Sequence, residues 1–146
     1  MQPSLILGGV HLDKRGELKF NNSFNMSQIK RIYSITINNK INKRRWQGHK
    51  IEQRWFTAIN GSFNVKLILV DNWIKPNPNL NNINFQISSK ALDILHVPSG
   101  YVTSIEANSN NSILLVMSDY SFNEINDEYK FPANYFKNKY NYEKNN

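Results

Sequence analysis

Short stretches in which apolar and polar residues alternate follow one another along most of the chain. The clearest runs from Ile29 to Ile37 and is dominated by β-branched and aromatic residues, which favour strands. Asn60-Gly61 is a strong hairpin signal and separates two further stretches. The predicted strands cover residues 5–7, 18–20, 29–37, 44–59, 62–70, 83–87, 94–97, 101–107 and 112–118. Turn signals at roughly 8–12-residue spacing are typical of a sandwich or barrel, so we predict an all-β fold.

The central stretch, residues 44–59, combines positive charge with aromatic side chains. Side chains alternate between the two faces of a strand. Read as one strand, this stretch places a mostly polar set on one face, interrupted by Ile51: Arg45, Gln47, His49, Gln53 and Trp55. Such a face suits either the inner wall of a small barrel that holds a ligand or a solvated edge strand, and alternation alone leaves both interpretations open.

The pattern changes after residue 119. Residues 123–128 are acidic and predict a short helical turn, and a low-complexity tail of Asn, Lys and Tyr follows from Lys137. We therefore predict a single domain over residues 1–136 and a disordered tail over residues 137–146.

Composition narrows the classes of protein. The chain has 146 residues, no cysteine and a net charge of +7. Without cysteine there are no disulfides or thiolate metal sites, and a cytoplasmic location is favoured. No apolar run reaches the ~18 residues of a transmembrane helix, and the N-terminus does not predict a signal peptide. The charge is compatible with nucleic acid, an acidic membrane surface or a phosphorylated ligand, and equally with a solvated basic surface.

The three histidines, His11, His49 and His96, form no His-x-His pair, because the first position of such a pair with His49 is Gln47. A metal site, which needs three or four converging ligands, is therefore not predicted. Nucleophilic catalysis has no support either, because the chain lacks cysteine and a Gly-x-Ser-x-Gly motif.

Acid–base chemistry is the reaction type that these residues could support. His49 lies on the polar face of the central stretch, and histidine titrates near neutral pH. Tyr33 and Arg31 share a face of the preceding strand, and antiparallel pairing could bring Tyr33 close to His49. Each also has a structural interpretation: His49 could bond a backbone carbonyl, Tyr33 could belong to the core, and Arg31 could pair with Glu52. Tyr101 follows a turn at a predicted barrel rim, where it could stack on a base or sugar, or simply pack.

Several short motifs occur in an order and spacing that resemble a known family. They are Ile29-Lys30-Arg31-Ile32-Tyr33, Arg44-x-x-Gln47-x-His49-Lys50, Asn60-Gly61-Ser62, Val97-Pro98-Ser99-Gly100, and Ser112-Ile113-Leu114-Leu115-Val116 with Ser118-Asp119-Tyr120. Together they resemble the sugar-nucleotide 3,4-ketoisomerase cupins, the WxcM-like group, over about residues 5–122. Asp13-x-Arg15-Gly16-x-Leu18 is similar to that group and to the related dTDP-4-dehydrorhamnose 3,5-epimerases.

The resemblance implies a cupin-type double-stranded β-helix, or jelly-roll barrel, and a homodimer of the kind that can exchange N-terminal strands. It implies a dTDP-linked 4-keto-6-deoxyhexose as substrate, in surface-polysaccharide sugar synthesis, with no metal, no cofactor, and no nucleic-acid or membrane partner. The implied reaction removes a proton next to the ketone and returns it to another carbon or to the other face, through an enediol or enolate.

Residue by residue, the resemblance places the family tyrosine on Tyr33, its arginine on Arg44 and the second histidine of its His-x-His pair on His49. The first histidine falls on Gln47, which cannot take a proton at pH 7. The predicted catalytic residues are therefore His49 as base, Tyr33 as proton donor, and Gln47. The predicted substrate-binding residues are Arg31, Arg44, Arg54 and Tyr101, with Arg54 the weakest because strand alternation puts it on the opposite face.

Because Gln47 departs from the family pattern, several functions stay open. The first is 3,4-ketoisomerase-like proton transfer, and the second is activity like that of the 3,5-epimerases. The third is a non-catalytic cupin that binds sugar nucleotides. A β-barrel that binds nucleic acid ranks below these, since it rests only on charge and aromatic content. The sequence does not fix the sugar or the reacting carbon.

Overall fold

The computed structural model describes residues 1–137. These residues form twelve strands: β1 (Ser4–Ile6), β2 (Gly9–Asp13), β3 (Gly16–Phe20), β4 (Arg31–Ile37), β5 (Arg44–His49), β6 (Arg54–Asn60), β7 (Ser62–Leu69), β8 (Ile83–Ser88), β9 (Ile94–Val97), β10 (Tyr101–Ala107), β11 (Ser112–Ser118) and β12 (Tyr129–Lys130). The predicted all-β fold is confirmed. Within residues 1–137 there is no helix of the length and apolar character needed to cross a membrane.

Two five-stranded antiparallel sheets build the jelly-roll barrel. The first has the order β1-β9-β6-β11-β4 and the second the order β12-β5-β10-β7-β8, while β2 and β3 form a separate hairpin. The inward side chains of both sheets meet in one core. Its fully buried members include Phe56, Leu95 and Val116 from the first sheet and Phe63, Val65 and Leu67 from the second. Burying such a side chain stabilises the fold by about 1.5–3 kcal/mol relative to leaving it exposed.

The end of the described chain covers the outer face of the second sheet. The backbone of Phe131 exchanges hydrogen bonds with that of Trp46 in β5, at 3.0 and 3.3 Å. Phe136 packs edge-on against Trp46 with ring centres 5.3 Å apart, and Ile68 and Val102 complete the buried cluster. The outer side of β5 around Trp46 is therefore apolar and covered.

The predicted helical turn is present only as non-helical turns at residues 122–125. Asn123 has φ of 59°, in the left-handed region, which a right-handed helix does not admit. Apart from Lys137, the tail predicted to be disordered lies outside the described residues. The Lys137 backbone N–H donates to the Pro78 carbonyl at 2.7 Å, so the chain is still anchored there.

The prediction that residues 44–59 form one strand is wrong. The chain turns a corner at residues 50–53, and β5 and β6 lie in different sheets. One buried carboxylate, that of Asp127, accepts hydrogen bonds from three successive backbone N–H groups of this corner. They belong to Lys50, Ile51 and Glu52, at 3.0, 2.8 and 2.8 Å. A local hydrophobic pattern does not reveal a corner whose donors are satisfied by a distant side chain.

Arg45 does not share the inner face with Gln47 and His49, as the alternation predicted. The register of β5 against β10 shifts, so that Gln47 lies opposite Thr103 and Arg44 opposite Ile105. This bulge turns Arg45 to the outer side of the sheet. There its Nε donates to Ser104 Oγ at 2.9 Å, and its guanidinium pairs with Glu106.

Beyond the corner the predicted faces are reversed. Trp55 points out of the barrel and stacks on His96, with ring centres 5.0 Å apart. Gln53 Oε1 lies 2.7 Å from His96 Nε2, so Gln53 also faces away from the cavity. Arg54, which the alternation placed on the opposite face, points inward. The corner restarts the alternation, and only Gln47 and His49 keep the predicted inner position.

Candidate active site

A polar cavity opens between the two sheets, at the end where β4 begins and β5 finishes. Its inner part has a volume of about 190 Å³ and lies among Arg44, Arg54, Phe56 and Thr103. The part at the mouth has a volume of about 190 Å³ and lies among His49, Glu52 and the segment 120–128. Arg31, Tyr33 and Gln47 line both parts, so the two volumes adjoin. The structure thus brings most of the predicted site residues together.

Tyr33 and Arg31 reach the cavity from β4, where β-strand alternation directs both side chains inward. The strand pairs with β11, with Val116 opposite Tyr33 and Ser118 opposite Arg31. The Arg31 guanidinium lies 4.7 Å from the centre of the Tyr33 ring and 5.1 Å from that of Phe122. Within residues 1–137 it pairs with no carboxylate, so its charge at the cavity mouth is available to an anionic ligand.

His49 ends β5 and has a carboxylate beside it. Its Nδ1 lies 2.8 Å from Glu52 Oε2, and both side chains are about nine-tenths buried, at 11% and 9% exposure. The two atoms are close enough for an ion pair but are not aligned for a linear hydrogen bond. The partner of His49 is therefore Glu52 and not a backbone carbonyl, and Glu52 does not pair with Arg31.

The charge state of Glu52 follows from its surroundings. Burial acts to raise its pKa, but His49, the hydroxyl of Ser118 and the positive charge of Arg54 together bring the pKa below the ordinary value of 4.5. Ser118 Oγ donates a hydrogen bond to Glu52 Oε1. Glu52 is consequently ionised at neutral pH.

Arg54 places a buried cation at the inner end of the cavity. It is 4% exposed, its guanidinium lies 5.1 Å from the centre of the Phe56 ring, and one terminal nitrogen is 3.5 Å from Thr103 Oγ1. Burial lowers the pKa of Arg54, while Tyr33 and the nearby carboxylate of Glu52 act in the opposite direction. An arginine keeps its proton under such conditions, so this end of the cavity is positively charged.

Gln47 bridges the inner and outer parts of the cavity. Its Nε2 donates to Glu128 Oε1 at 2.6 Å, and Glu128 is in turn 3.4 Å from Lys130 Nζ. Arg44, which is exposed, lines both the inner cavity and an open groove outside β5. Arg44 therefore connects the cavity to the protein surface.

Tyr101 is the one predicted site residue that the structure does not place at the cavity. It is 4% exposed and belongs to the barrel core, opposite His49 in the pairing of β10 with β5. Burial raises the pKa of its hydroxyl. Tyr101 does follow the predicted turn, as the first residue of β10, but its side chain is buried in the core and does not line the cavity.

Sequence reasoning missed the carboxylates of the site. It considers Glu52 only as a partner for Arg31, and it places Asp127 and Glu128 in a segment predicted as a helical turn. The available signal was the acidic character of residues 123–128 beside a chain that is otherwise basic. Within residues 1–137, no three His, Asp or Glu side chains converge as a metal-ligand set.

A family model, FdtA, described as WxcM-like, C-terminal, matches residues 5–141. The chain belongs to this family. The match extends over every strand of the barrel and all the cavity residues. No curated protein is recognisably similar to this WxcM-like chain in sequence.

Solved structures show the same fold in other organisms. A point mutant of the 3,4-ketoisomerase QdtA from Thermoanaerobacterium thermosaccharolyticum, in complex with TDP-4-keto-6-deoxyglucose, has a TM-score of 0.67 at 21% identity, over 86% of this chain and 85% of that chain. A dTDP sugar isomerase from Desulfovibrio desulfuricans G20 has a TM-score of 0.73 at 15% identity, over 92% and 88%. The dTDP-4-dehydrorhamnose 3,5-epimerase of Bacillus anthracis, with TDP and PPi bound, has a TM-score of 0.69 at 13% identity, over 86% and 76%. This WxcM-like chain therefore shares their barrel.

Proposed function

We propose that this protein is an isomerase that moves a proton next to the ketone of a dTDP-4-keto-6-deoxyhexose. The observation that carries the proposal is the shared cavity of His49 and Tyr33, which holds a base, an acid and the buried cation of Arg54. A proton α to a ketone can be removed when a base faces it and a positive charge stabilises the enolate that forms. No other part of the described chain combines these groups.

The chemistry assigns one role to each group. His49 takes the proton from the carbon beside the ketone, and the electron pair of the broken C–H bond moves into the enolate. Arg54, at the inner end of the cavity, stabilises the negative oxygen. In a ketoisomerase the C3 hydroxyl gives its proton to the former ketone oxygen at C4 while Tyr33 delivers a proton to C4, so that the C=O bond forms at C3. In an epimerase Tyr33 returns a proton to the opposite face of the same carbon and the ketone stays at C4. We assign 3,4-ketoisomerase activity first.

The charges at the cavity also suit the nucleotide part of such a substrate. Arg31 at the mouth and Arg44 at the surface are two cations that a diphosphate could engage. Arginine presents several donors in a planar fork that matches phosphate oxygens. The ligands of the similar structures, TDP-4-keto-6-deoxyglucose and TDP, belong to this chemical class and support the assignment.

Proton NMR of dTDP-4-keto-6-deoxyglucose with the protein in heavy water tests the proposal. We expect a new 3-keto sugar that carries deuterium at C4, and deuterium at C3 of the remaining 4-keto sugar through the reverse reaction, because removal and return of the proton pass through solvent-exchangeable groups. Deuterium at both C3 and C5 would identify an epimerase. If the nucleotide sugar binds but no deuterium enters, the protein is a binding protein for this substrate. Gln47→His, which restores the family's first histidine, then tests whether that one position accounts for the loss.

We also propose that the protein is a cytoplasmic homodimer that uses its N-terminal hairpin as a contact. The hairpin of β2 and β3 exposes Leu12 and Leu18, at 64% and 61%, and among residues 1–137 its strands pair only with each other. An isolated two-stranded sheet is marginally stable, so a second copy of the chain would stabilise it. Sedimentation velocity is expected to show a dimer, and the double variant Leu12→Glu with Leu18→Glu to show a monomer. A wild-type monomer at micromolar concentration contradicts the proposal.

A further inference from the structure

The corner between β5 and β6 places a carboxylate directly behind the candidate base. Glu52 follows His49 by three residues, and the turn of the backbone brings Glu52 Oε2 to 2.8 Å from His49 Nδ1. This nitrogen is fully buried and, among the described residues, has no aligned hydrogen-bond acceptor. The part of the ring that can face the cavity is consequently the side that carries Nε2.

The Glu52 carboxylate is itself held by the first sheet. Its other oxygen, Oε1, accepts a hydrogen bond from Ser118 Oγ at the end of β11. Ser118 Oγ also accepts from the Tyr120 backbone N–H at 3.2 Å, which orients the hydroxyl. Burial acts to raise the pKa of Glu52, yet its close contact with His49, the hydrogen bond from Ser118 and the positive charge of Arg54 keep that pKa below its ordinary value. The carboxylate is thus fixed in place and charged.

Other groups around His49 are less able to perform this role. Asp127 Oδ2 is 4.0 Å from Nδ1, but both oxygens of Asp127 already accept backbone N–H groups of the corner. Tyr101 lies opposite His49 on β10 and is neutral, because burial raises its pKa. Arg31 and Glu128 line the cavity mouth, where Glu128 bonds Gln47. Glu52 is therefore the carboxylate nearest to the ring that still has an oxygen to offer it.

We propose that Glu52 is a positioning residue for His49. It holds the imidazole ring with Nδ1–H toward the carboxylate and with an unprotonated Nε2 facing the cavity. The kinetic consequence rests on the proposed function. A histidine whose Nδ1–H faces a carboxylate keeps a single neutral tautomer, and the carboxylate stabilises the imidazolium that forms when Nε2 takes a proton. Glu52 would then support the one histidine left in a site where Gln47 cannot act as a base.

Nitrogen NMR of protein with ¹⁵N-labelled histidine tests the positioning without any substrate. In the wild type we expect the neutral His49 ring to carry its proton on Nδ1 and none on Nε2. Glu52→Leu, which removes the acceptor, is expected to give a mixture of tautomers. Glu106→Gln removes another partly buried carboxylate, one that pairs with Arg45 outside the barrel, and is expected to leave the His49 signals unchanged. A wild-type ring protonated on Nε2 overturns the proposal, whether or not Glu52→Leu folds.

The rate of deuterium exchange into the keto sugar measures how much Glu52 contributes to catalysis by His49. Glu52→Gln keeps the shape of the side chain but removes its charge, so kcat is expected to fall by about 100-fold with KM changed by less than about threefold. Full activity in Glu52→Gln, with kcat and KM both unchanged, overturns the positioning role while the proposed function stands. If the wild-type protein incorporates no deuterium, the proposed function is wrong. The nitrogen spectra, which need no substrate, then still test whether Glu52 positions His49.

Discussion

The variant His49→Asn is expected to lose deuterium incorporation into dTDP-4-keto-6-deoxyglucose, with a rate at least about 100-fold and up to about 10⁴-fold below that of the wild type. Asparagine keeps a polar side chain, although a smaller one, and cannot take a proton at neutral pH. The cavity should keep its shape, since Glu52 stays anchored by Ser118 and the corner by Asp127. Proton NMR in heavy water measures the rate, and a nucleotide-sugar titration should show an affinity within a few-fold of the wild type.

The matched control for this prediction is His96→Asn. His96 lies outside the barrel, stacked on Trp55 and in contact with Gln53, so it has no access to the cavity. This variant should exchange deuterium at nearly the wild-type rate once its folding is checked by thermal unfolding. If His49→Asn instead keeps the wild-type rate, the base lies elsewhere in the cavity. Glu128, which reaches the mouth beside Gln47, is then the next carboxylate to replace.

The sequence predicts most of the strands, because most of them have their own local signal, whereas β2 (Gly9–Asp13) and β12 (Tyr129–Lys130) are not predicted. β4 is an example: its β-branched and aromatic residues alternate without interruption, and the prediction matches the strand to within two residues. The inward position of Tyr33 and Arg31 follows from the same alternation. Where a strand is regular, the side chains of a candidate site can thus be assigned to a face from the sequence alone.

The errors in the candidate site come from one irregular segment. The bulge at Arg45 and the corner at residues 50–53 each interrupt the alternation of the central stretch. An unbroken alternation therefore assigns the wrong face to Arg45, Arg54 and Trp55. Both interruptions are stabilised by residues far away in sequence, Ser104 with Glu106 in the first case and Asp127 in the second. Local patterns carry no information about such partners.

The same corner explains how the cavity can combine opposite charges. It turns Glu52 back toward His49 and at the same time lets Arg54 enter the barrel two residues later. An uninterrupted strand would have placed residues 52 and 54 on one face and residue 49 on the other. The geometry of the proposed base and of the cation that stabilises the enolate therefore depends on the conformation of this short corner.

The variant Asp127→Ala is accordingly expected to lower both stability and activity. It leaves the backbone N–H groups of Lys50, Ile51 and Glu52 without their acceptor, and each hydrogen bond to a charged group contributes about 1.5–3 kcal/mol. Water can reach the exposed part of the corner, and the three losses are not additive, so the free energy of unfolding should fall by about 2–4 kcal/mol. Urea unfolding followed by tryptophan fluorescence measures this change.

Glu128→Gln is the control for that measurement, because Glu128 is the adjacent carboxylate but is exposed. Its replacement should change the free energy of unfolding by less than about 0.5 kcal/mol. The exchange rate of Asp127→Ala should fall together with its stability, since a loosened corner no longer holds Glu52 against His49. A variant that loses less than about 1 kcal/mol and keeps full activity would show that the corner keeps its shape without Asp127. The packing of β5 and β6 against their own sheets would then be what positions the base.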